Sequence, residues 1–359
     1  MEINKVLPLA LGLVIFSFLI TAVLVVPFID FLYKLKFTRK VEGKGGKKKM
    51  LFDKLHDIKA GTPIGGGLLV ISVVTILFSI LLPLSIRMGV PIRTLFSLRY
   101  ELLIILFTFI SFGLLGATDD FVKIFGKARK DGKWEVFGLT RKQKFILQIV
   151  LGTVIAWMIH SLLGIHQIYI PLFEQSINLT IAIGGLQIPL YVPLAAFIII
   201  FFSNAFNITD GLDGLSSGLL MIYLFSYIII AVDNLDTPLF IFISLWLGSI
   251  IAFLYFNVYP ARIFLGDAGA LSFGAMMAVI GLMIGNIATL FIIGGLFVLE
   301  LLSSLIQILS WKLRDKPFFK IAPIHHTFQA IGWEEPKIVM RAWLAGVMLA
   351  VFGLWLATI

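Results

Sequence analysis

The sequence contains no cysteine and little charge. Of its 359 residues, 14% are Asp, Glu, Lys or Arg and 59% are apolar, and the mean hydropathy is +1.03. The lack of cysteine excludes disulfides, thiol catalysis and thiolate metal sites, although it does not indicate a compartment. About a quarter of the residues in a soluble globular protein are charged, so this composition excludes that class. It indicates a polytopic α-helical membrane protein instead.

Long stretches without Asp, Glu, Lys or Arg divide the chain into candidate membrane spans. A bilayer core about 30 Å thick needs about 20 helical residues, and most of these stretches are that long. The stretch over 268–311, interrupted only by Glu300, is long enough for two helices and is best divided near Gly285 and Asn286. Residues 175–189 are polar and contain Gly and Pro, so the next span should begin near 190.

We therefore predict an all-α membrane protein that forms a single polytopic transmembrane domain over 1–359. It has ten predicted transmembrane helices, which cover 6–33, 64–87, 101–118, 143–164, 190–207, 215–233, 238–256, 269–285, 287–311 and 339–358. The even number of helices places both termini on the same side of the membrane.

The distribution of Lys and Arg predicts which side that is. Short loops that are rich in Lys and Arg stay in the cytoplasm. If both termini lie outside, the cytoplasmic loops and adjoining helix ends hold 25 of the 29 Lys and Arg. Topology and attraction to anionic lipid then explain the net charge of +9, so no nucleic-acid partner is expected. The Lys-rich run over 44–49 is typical of a solvated surface segment.

Five aspartates lie in three of the predicted cytoplasmic loops or at the adjoining helix ends. They are Asp119 and Asp120 in GATDDFVK, Asp210 and Asp213 in NITDGLDG, and Asp267 in FLGDAGA. Uncompensated charge at a membrane boundary is costly, so these residues are candidates for function. The structural alternatives are a helix end for the first pair and helix caps for Asp210 and Asp267. A carboxylate pair at a helix C-terminus opposes the helix dipole, however, which favours a metal or cationic ligand.

Other residues of these loops suit a phosphorylated ligand. Asn204 and Asn207 end an apolar span and need hydrogen-bond partners, such as a sugar or a nucleotide. His325 and His326 are adjacent, so we expect them in a loop that lines a pocket rather than on one helical face. The glycines of GTPIGGG at 61–67 allow close backbone approach or helix packing, although the segment is not a P-loop. Carboxylates without Cys suit Mg²⁺, which is commonly held by one or two carboxylates and substrate phosphates.

Composition alone leaves two classes of function open. One is a membrane enzyme that handles a phosphorylated substrate from the cytoplasm and an apolar one from the bilayer. The other is a proton-coupled or cation-coupled transporter, although the ionisable residues lie at one membrane face rather than in the middle of the spans.

Five segments of the chain resemble, in order, the cytoplasmic motifs of a known enzyme family. They are KAGTPIGGG (59–67), GATDDFVK (116–123), SNAFNITDGLDGL (203–215), FNVYPARIFLGDAGAL (256–271) and APIHHTFQAIGWEEPKIVMR (322–341). The family is that of the polyprenyl-phosphate N-acetylhexosamine-1-phosphate transferases, and the resemblance is strongest to its phospho-N-acetylmuramoyl-pentapeptide branch. It implies a multi-pass protein of the bacterial cytoplasmic (inner) membrane, with both termini on the periplasmic side and an active site at the cytoplasmic face.

The resemblance also implies a reaction and its partners. The implied donor is UDP-N-acetylmuramoyl-pentapeptide (UDP-MurNAc-pentapeptide), the implied acceptor is the membrane lipid undecaprenyl phosphate, and the implied products are lipid I and UMP. This is the first membrane step of peptidoglycan synthesis. A requirement for Mg²⁺ and assembly as a homodimer are further implications. We expect direct attack by the lipid phosphate, and a two-step route through an aspartyl-phosphate on Asp267 is the alternative.

Carried over residue by residue, the resemblance assigns roles to individual side chains. Asp119, Asp120 and Asp267 are the implied catalytic residues, and Asp267 and Asp119 are the implied Mg²⁺ ligands. Phe264 is placed to stack on uracil. The other implied substrate-binding residues are Lys59, Thr62, Lys123, Lys144, Asn207, Asp210, Asp213, Asn257, Gly266, Gln307, His325 and His326.

The chain departs from the family pattern in its last loop. Members of the family usually have three consecutive histidines and a nearby Glu, where this chain has Thr327 and Gln329. The difference concerns the role of a third imidazole and the identity of the peptide substrate. Two other functions therefore stay open: a sister transferase that uses UDP-N-acetylglucosamine, and a transporter or lipid-binding protein.

Overall fold

A computed structural model describes the chain over 3–39, 59–126, 129–131, 134–136, 139–170, 175–183, 186–233 and 236–358. Twelve helices lie in these residues, and ten of them are long and apolar enough to cross a membrane. The ten are α1 (Ile3–Lys34), α2 (Gly66–Arg87), α3 (Leu98–Phe125), α4 (Arg141–Leu163), α5 (Tyr191–Thr209), α6 (Leu215–Asp233), α7 (Thr237–Asn257), α8 (Gly266–Ile284), α10 (Gly295–Arg314) and α12 (Glu335–Ala357). The two short helices are α9 (Ile287–Ile293) and α11 (Ile324–Ala330). The predicted all-α architecture with ten spans is therefore confirmed, and the Lys-rich run at 44–49 lies outside the described residues.

Several helix bounds differ from the prediction, and two of the differences matter for function. Helix α3 continues to Phe125, so Asp119 and Asp120 lie within its last two turns. Helix α8 begins at Gly266, which places Asp267 in its first turn. Because polar residues at helix ends look like loop residues in a hydropathy pattern, the sequence alone placed these carboxylates nearer to loops.

The single helix predicted over 287–311 is wrong, because the chain breaks at Gly294 between α9 and α10. A Cβ at Gly294 would lie 2.7 Å from the ring of Phe202 in α5, so the break coincides with a close helix contact. The predicted division before this segment is correct. Gly285, with φ +82°, ends α8, and the Asn286 side chain accepts a hydrogen bond from the amide of Thr289 to begin α9.

Short antiparallel hairpins connect some of the spans. Strands β1 (Arg129–Asp131) and β2 (Trp134–Val136) pair between α3 and α4. Between α4 and α5, β3 (Gln167–Ile170) pairs with β4 (Gln175–Asn178), and β5 (Thr180–Ile183) pairs with β6 (Leu186–Pro189). The polar stretch before α5 does not span the membrane, as predicted, although its strands were not foreseen.

Helices α7 and α8 form the centre of the bundle. In their apolar stretches 83% and 89% of the residues are buried, whereas α1, α4, α10 and α12 are each only 28% buried. Phe109 of α3 contacts Phe242 and Trp246 of α7 edge to face, with ring centres 5.2 Å apart in both pairs. The outer helices present their remaining apolar side chains outwards, as expected for contact with lipid.

The segments before α2 and α8 are paired through their backbones. Phe264 donates its amide to the carbonyl of Pro63 (2.8 Å), and the amides of Gly66 and Gly67 bond the carbonyls of Phe264 and Leu265. A Cβ at Gly67 would overlap the backbone of Gly269, so the two helices can approach this closely only without side chains. The close approach expected from the GTPIGGG segment is therefore confirmed.

Gly116 of α3 packs against the first turn of α8, where an added Cβ would overlap the carbonyl of Asp267. We expect Gly116→Ala to lower the apparent melting temperature of the detergent-solubilised protein, because overpacking typically costs about 1–3 kcal/mol. Gly12→Ala in α1 is the matched control, since an added Cβ there meets nothing within 4 Å. Equal melting temperatures for the two variants would contradict this packing.

Candidate active site

The predicted site residues converge at one end of the bundle, where α3, α5 and α7 end and α2, α4 and α8 begin. Two adjoining cavities open there, one of about 230 Å³ and one of about 550 Å³. Both are lined by Lys59, Gly211, Leu212, Asp213 and Phe264. The wall of the smaller cavity also carries Asp120, Asn207, Asp210 and Asp267.

Two carboxylates and two lysines form an ion cluster beside the smaller cavity. The ammonium of Lys123 lies 2.7 Å from Oδ2 of Asp267 and 3.1 Å from Oδ2 of Asp119. Lys144 of α4 pairs with the same two oxygen atoms, at 3.1 Å from Asp119. Asn207 donates from Nδ2 to the other oxygen of Asp267 (3.0 Å), and the amide of Leu139 donates to the other oxygen of Asp119 (2.8 Å). The cluster thus joins α3, α4, α5 and α8.

Asp120 has a different environment from Asp119. Its two carboxylate oxygens accept hydrogen bonds from the backbone amides of Asp267 and Ala268, each at 3.0 Å. These amides lie in the first turn of α8, where the helix dipole favours an anion. Asp120 thereby caps the N-terminus of α8. Because it bonds the backbone amide of Asp267, it also fixes the position of that residue. A Cβ at Gly266, where φ is +80°, would lie 2.7 Å from Oδ2 of Asp120, so glycine is needed at this position.

Asp210 lies just beyond α5 on the wall of the smaller cavity. Its carboxylate accepts a hydrogen bond from the hydroxyl of Ser216. Burial raises the pKa of Asp210 to about 6, and the charge of Asp267 acts in the same direction. An anion at this position therefore benefits from a cationic or hydrogen-bonding ligand in the cavity.

Lys59, Asp213 and Glu335 form a second ion cluster between the two cavities. The ammonium of Lys59 lies 2.6 Å from Oδ1 of Asp213 and 2.5 Å from Oε1 of Glu335. Glu335 also accepts from the amide of Asp213 (2.6 Å), and the second oxygen of Asp213 accepts from the amide of Ala261 (2.9 Å). This cluster ties the start of α12 to the loop between α5 and α6.

The flat and apolar part of the site is provided by Phe264. Its ring is half-buried, lines both cavities and has the guanidinium of Arg39 5.7 Å from its centre. Thr62 contributes to the larger cavity only. This position suits the predicted stacking of Phe264 on a planar base.

Two of the predicted substrate-binding residues use their side-chain amides to bond other groups of the protein. Asn257 accepts from the hydroxyl of Ser217 and donates to the carbonyl of Ile263, so it supports the cavity wall. The side chain of Gln307 hydrogen-bonds the backbone of Phe318 and Phe319, and it lines neither cavity.

The expectation of a loop around His325 and His326 is wrong, because both residues lie in the short helix α11 and are buried. His326 lines the larger cavity, and its Nδ1 lies 2.7 Å from Oε1 of Gln329. His325 points instead to Glu300 and Gly211. A helix of seven residues has too few turns to produce a recognisable periodicity, which is why the sequence did not indicate it.

Three residues of the site were not predicted. Arg39 lines the smaller cavity, Glu335 shares Lys59 with Asp213, and Glu300 pairs with His325. Glu335 belongs to a quoted motif, GWEEPK, and Glu300 is the only charge in its 44-residue stretch, so both carried a signal. Arg39 lies among several other basic residues between 34 and 40, and nothing in the sequence distinguishes it from them as a site residue.

Of the two carboxylates in the first ion cluster, Asp267 lines the smaller cavity, whereas Asp119 is buried behind it and lines neither cavity. Within the described residues, no group of three or more His, Cys, Asp and Glu side chains forms a complete metal cage. Asp119 and Asp267 instead present a pair of carboxylates that is neutralised by ammonium groups. Such a pair can share a cation with oxygen atoms of a bound ligand.

Comparison with known proteins identifies the family. A family model described as glycosyl transferase family 4 matches residues 102–285, just over half of the chain. A protein of Geobacillus sp. (strain WCH70) is 34% identical over 344 residues, which are 96% of each chain, and is named phospho-N-acetylmuramoyl-pentapeptide-transferase. Proteins of Bacillus subtilis (34% over 343 residues, 96% of each chain) and Halalkalibacterium halodurans (36% over 342 residues, 95% of each chain) have the same name.

The chain belongs to the phospho-N-acetylmuramoyl-pentapeptide-transferase family. It is therefore an enzyme, a phosphoglycosyl transferase with multiple membrane spans. The family resemblance found in the motifs is confirmed over nearly the whole chain rather than in the motifs alone.

Lys144 tests the first ion cluster of this transferase. We expect Lys144→Met to lower the apparent melting temperature, because removing one partner from a buried ion pair costs up to about 3–5 kcal/mol. Asp119→Asn in the same background should restore part of the loss, since it removes the excess negative charge. Lys142→Met, which changes an exposed side chain in the same helical turn, is the control. If both lysine variants melt at the wild-type temperature, the cluster does not stabilise the fold.

Proposed function

We propose that this transferase moves phospho-N-acetylmuramoyl-pentapeptide from its UDP-linked donor to undecaprenyl phosphate, producing lipid I and UMP in the bacterial cytoplasmic membrane. The names of the relatives support the transferred group. The observation that carries the proposal is the ion cluster of Asp119, Asp267, Lys123 and Lys144 beside the smaller cavity. It provides both cations for a diphosphate and carboxylates for a metal ion, at the end of an apolar bundle that a lipid can reach.

The reaction exchanges one phosphorus–oxygen bond for another. An oxygen of the lipid phosphate attacks the sugar-linked β-phosphorus of the donor, and the bond from that phosphorus to UMP breaks. The second pKa of a phosphate monoester is about 6, so the lipid phosphate is already largely dianionic at neutral pH and needs little activation. The protein has to bring two anions together and to stabilise the charge of the leaving UMP.

Lys123 and Lys144 are placed to bring those anions together. In the proposed complex their ammonium groups pair partly with the phosphates instead of the carboxylates, because Lys123 lines the smaller cavity and Lys144 shares with it the same oxygen of Asp267. Asp119 would accept any proton that remains on the lipid phosphate, and Asp120 holds Asp267 in place through the first turn of α8.

We further propose that the metal ion is Mg²⁺, with Asp267 and Asp119 as its protein ligands. A pair of carboxylates without a complete protein cage fits Mg²⁺, which usually keeps substrate phosphates and water among its ligands. Bound there, Mg²⁺ would neutralise the diphosphate of the donor. Asn207 would then hold the Asp267 carboxylate through the oxygen that it already bonds.

The geometry favours direct attack over an aspartyl-phosphate on Asp267. One oxygen of Asp267 accepts from Asn207, and the other pairs with both Lys123 and Lys144. A carboxylate that is held by three donors is a weaker nucleophile than a free one, whereas it is well placed to fix charge. Phe264 then provides the platform for uracil, with Arg39 beside it.

The choice of donor tests the proposed reaction. Purified protein with Mg²⁺ and undecaprenyl phosphate should release UMP from UDP-N-acetylmuramoyl-pentapeptide and should not release it from UDP-N-acetylglucosamine. The measurement is UMP formed with each donor, with lipid-free samples as controls. Release from UDP-N-acetylglucosamine alone would assign the chain to the sister transferases, and release from neither donor would contradict the proposal.

Asp267→Asn tests the site. We expect UMP release to fall by at least about a hundredfold, because the neutral amide can neither hold the cation nor balance the two lysines. Asp119→Asn should act in the same direction. Asp315→Asn is the control, since Asp315 is exposed at the end of α10 with a φ of 50°, a conformation that Asn readily adopts. Near-normal turnover in Asp267→Asn would contradict the assignment of this site.

A further inference from the structure

Helix α10, which is mostly apolar, carries a polar stripe along one face. The stripe residues occur every three or four positions and are Glu300, Ser303, Gln307 and Ser310. Each of them bonds the segment between α10 and α12. Ser303 accepts from the amide of Ile324, Gln307 bonds the backbone of Phe318 and Phe319, and Ser310 donates to the carbonyl of Lys316. The stripe therefore holds this segment against the bundle.

Glu300 is the charged member of the stripe and pairs with His325. Its Oε2 lies 2.9 Å from Nδ1 of the imidazole, and both residues are buried. A carboxylate at this distance favours the imidazole form that carries a proton on Nδ1. Burying a carboxylate in an apolar helix is costly, so this pair indicates a requirement for a fixed orientation of the ring.

The other edge of the imidazole lies against Gly211. A Cβ added at Gly211 would overlap Nε2 of His325, so glycine is needed for this contact. Nε2 is buried and has no hydrogen-bond partner within the described part of the chain. Neither cavity is lined by His325, whereas both are lined by Gly211 and its neighbours Leu212 and Asp213. Glu300 of α10 therefore contacts the His325 ring, and the ring contacts Gly211 in the segment 211–213, which lines both cavities.

We propose that Glu300 is a positioning residue for donor binding. Glu300 fixes the ring of His325, and this ring in turn fixes the position of the loop from Asp210 to Asp213, which lines the cavities in which the donor would bind. His325 then acts as a support for this loop rather than as a direct phosphate ligand, and His326 is the histidine that faces the larger cavity. The inference rests on the proposed function for the identity of the donor, although not for the contacts themselves.

Glu300→Leu tests the proposal. Calorimetry with UDP-N-acetylmuramoyl-pentapeptide and the full-length protein in detergent should show binding about tenfold weaker, because a hydrogen bond to a charged group is lost and the loop is released. Glu300→Gln keeps the length of the side chain and an acceptor oxygen, so it should bind the donor within about threefold of wild type. Ser310→Ala, which removes a tether of the same segment far from His325, should leave donor binding unchanged.

Steady-state kinetics separate positioning from simple loss of structure. In Glu300→Leu the KM for the donor should rise, while the KM for undecaprenyl phosphate stays near wild type. Gly211→Ala should weaken donor binding in the same way, because it pushes the loop away from the ring. Combined with Glu300→Leu, it should add little, since the two changes release the same contact.

Three results would overturn the proposal: unchanged donor binding in Glu300→Leu, additive effects of the two substitutions, or equal losses for donor and lipid. These outcomes are distinct from failure of the proposed reaction. A wild-type protein that binds the donor but releases no UMP counts against the reaction, and the positioning role is still decided by the binding data.

Discussion

The arrangement of the site depends on how three carboxylates are compensated at the end of an apolar bundle. Asp120 is compensated by the amides that begin α8, and Asp119 and Asp267 by the ammonium groups of Lys123 and Lys144. Adjacent aspartates at the C-terminal end of α3 would otherwise oppose the helix dipole and each other. The two adjacent carboxylates therefore have different partners. Asp120 bonds the backbone of α8, whereas Asp119 pairs with the two lysines.

This compensation requires that α2, α3 and α8 approach one another unusually closely. Glycine at 67, 116 and 269 removes the side chains that would keep the backbones apart. The position of Asp267 is therefore fixed by backbone contacts from two sides rather than by a flexible loop. A site built in this way is pre-organised before any ligand binds, which suits a reaction in which positioning and charge provide most of the catalysis.

The spans and the convergence of acidic motifs were predictable from the sequence, because hydropathy and charge-free length depend on local composition. The side-chain partners were not. Asp120 bonds an amide 147 residues away, and Lys59 bonds a carboxylate 276 residues away, and no spacing rule relates such positions. Helix α11 was missed for a similar reason. Its seven residues are held by Glu300 and Ser303 of α10, whereas its own sequence has no clear period.

The pairing of Lys59 with Glu335 has a consequence for biogenesis. Lys59 precedes the second span, whereas Glu335 begins the last one. A chain that enters the membrane during synthesis acquires its N-terminal spans first. The nascent protein therefore lacks one wall of the larger cavity until α12 emerges from the ribosome, and only the fully inserted polypeptide has this cavity complete.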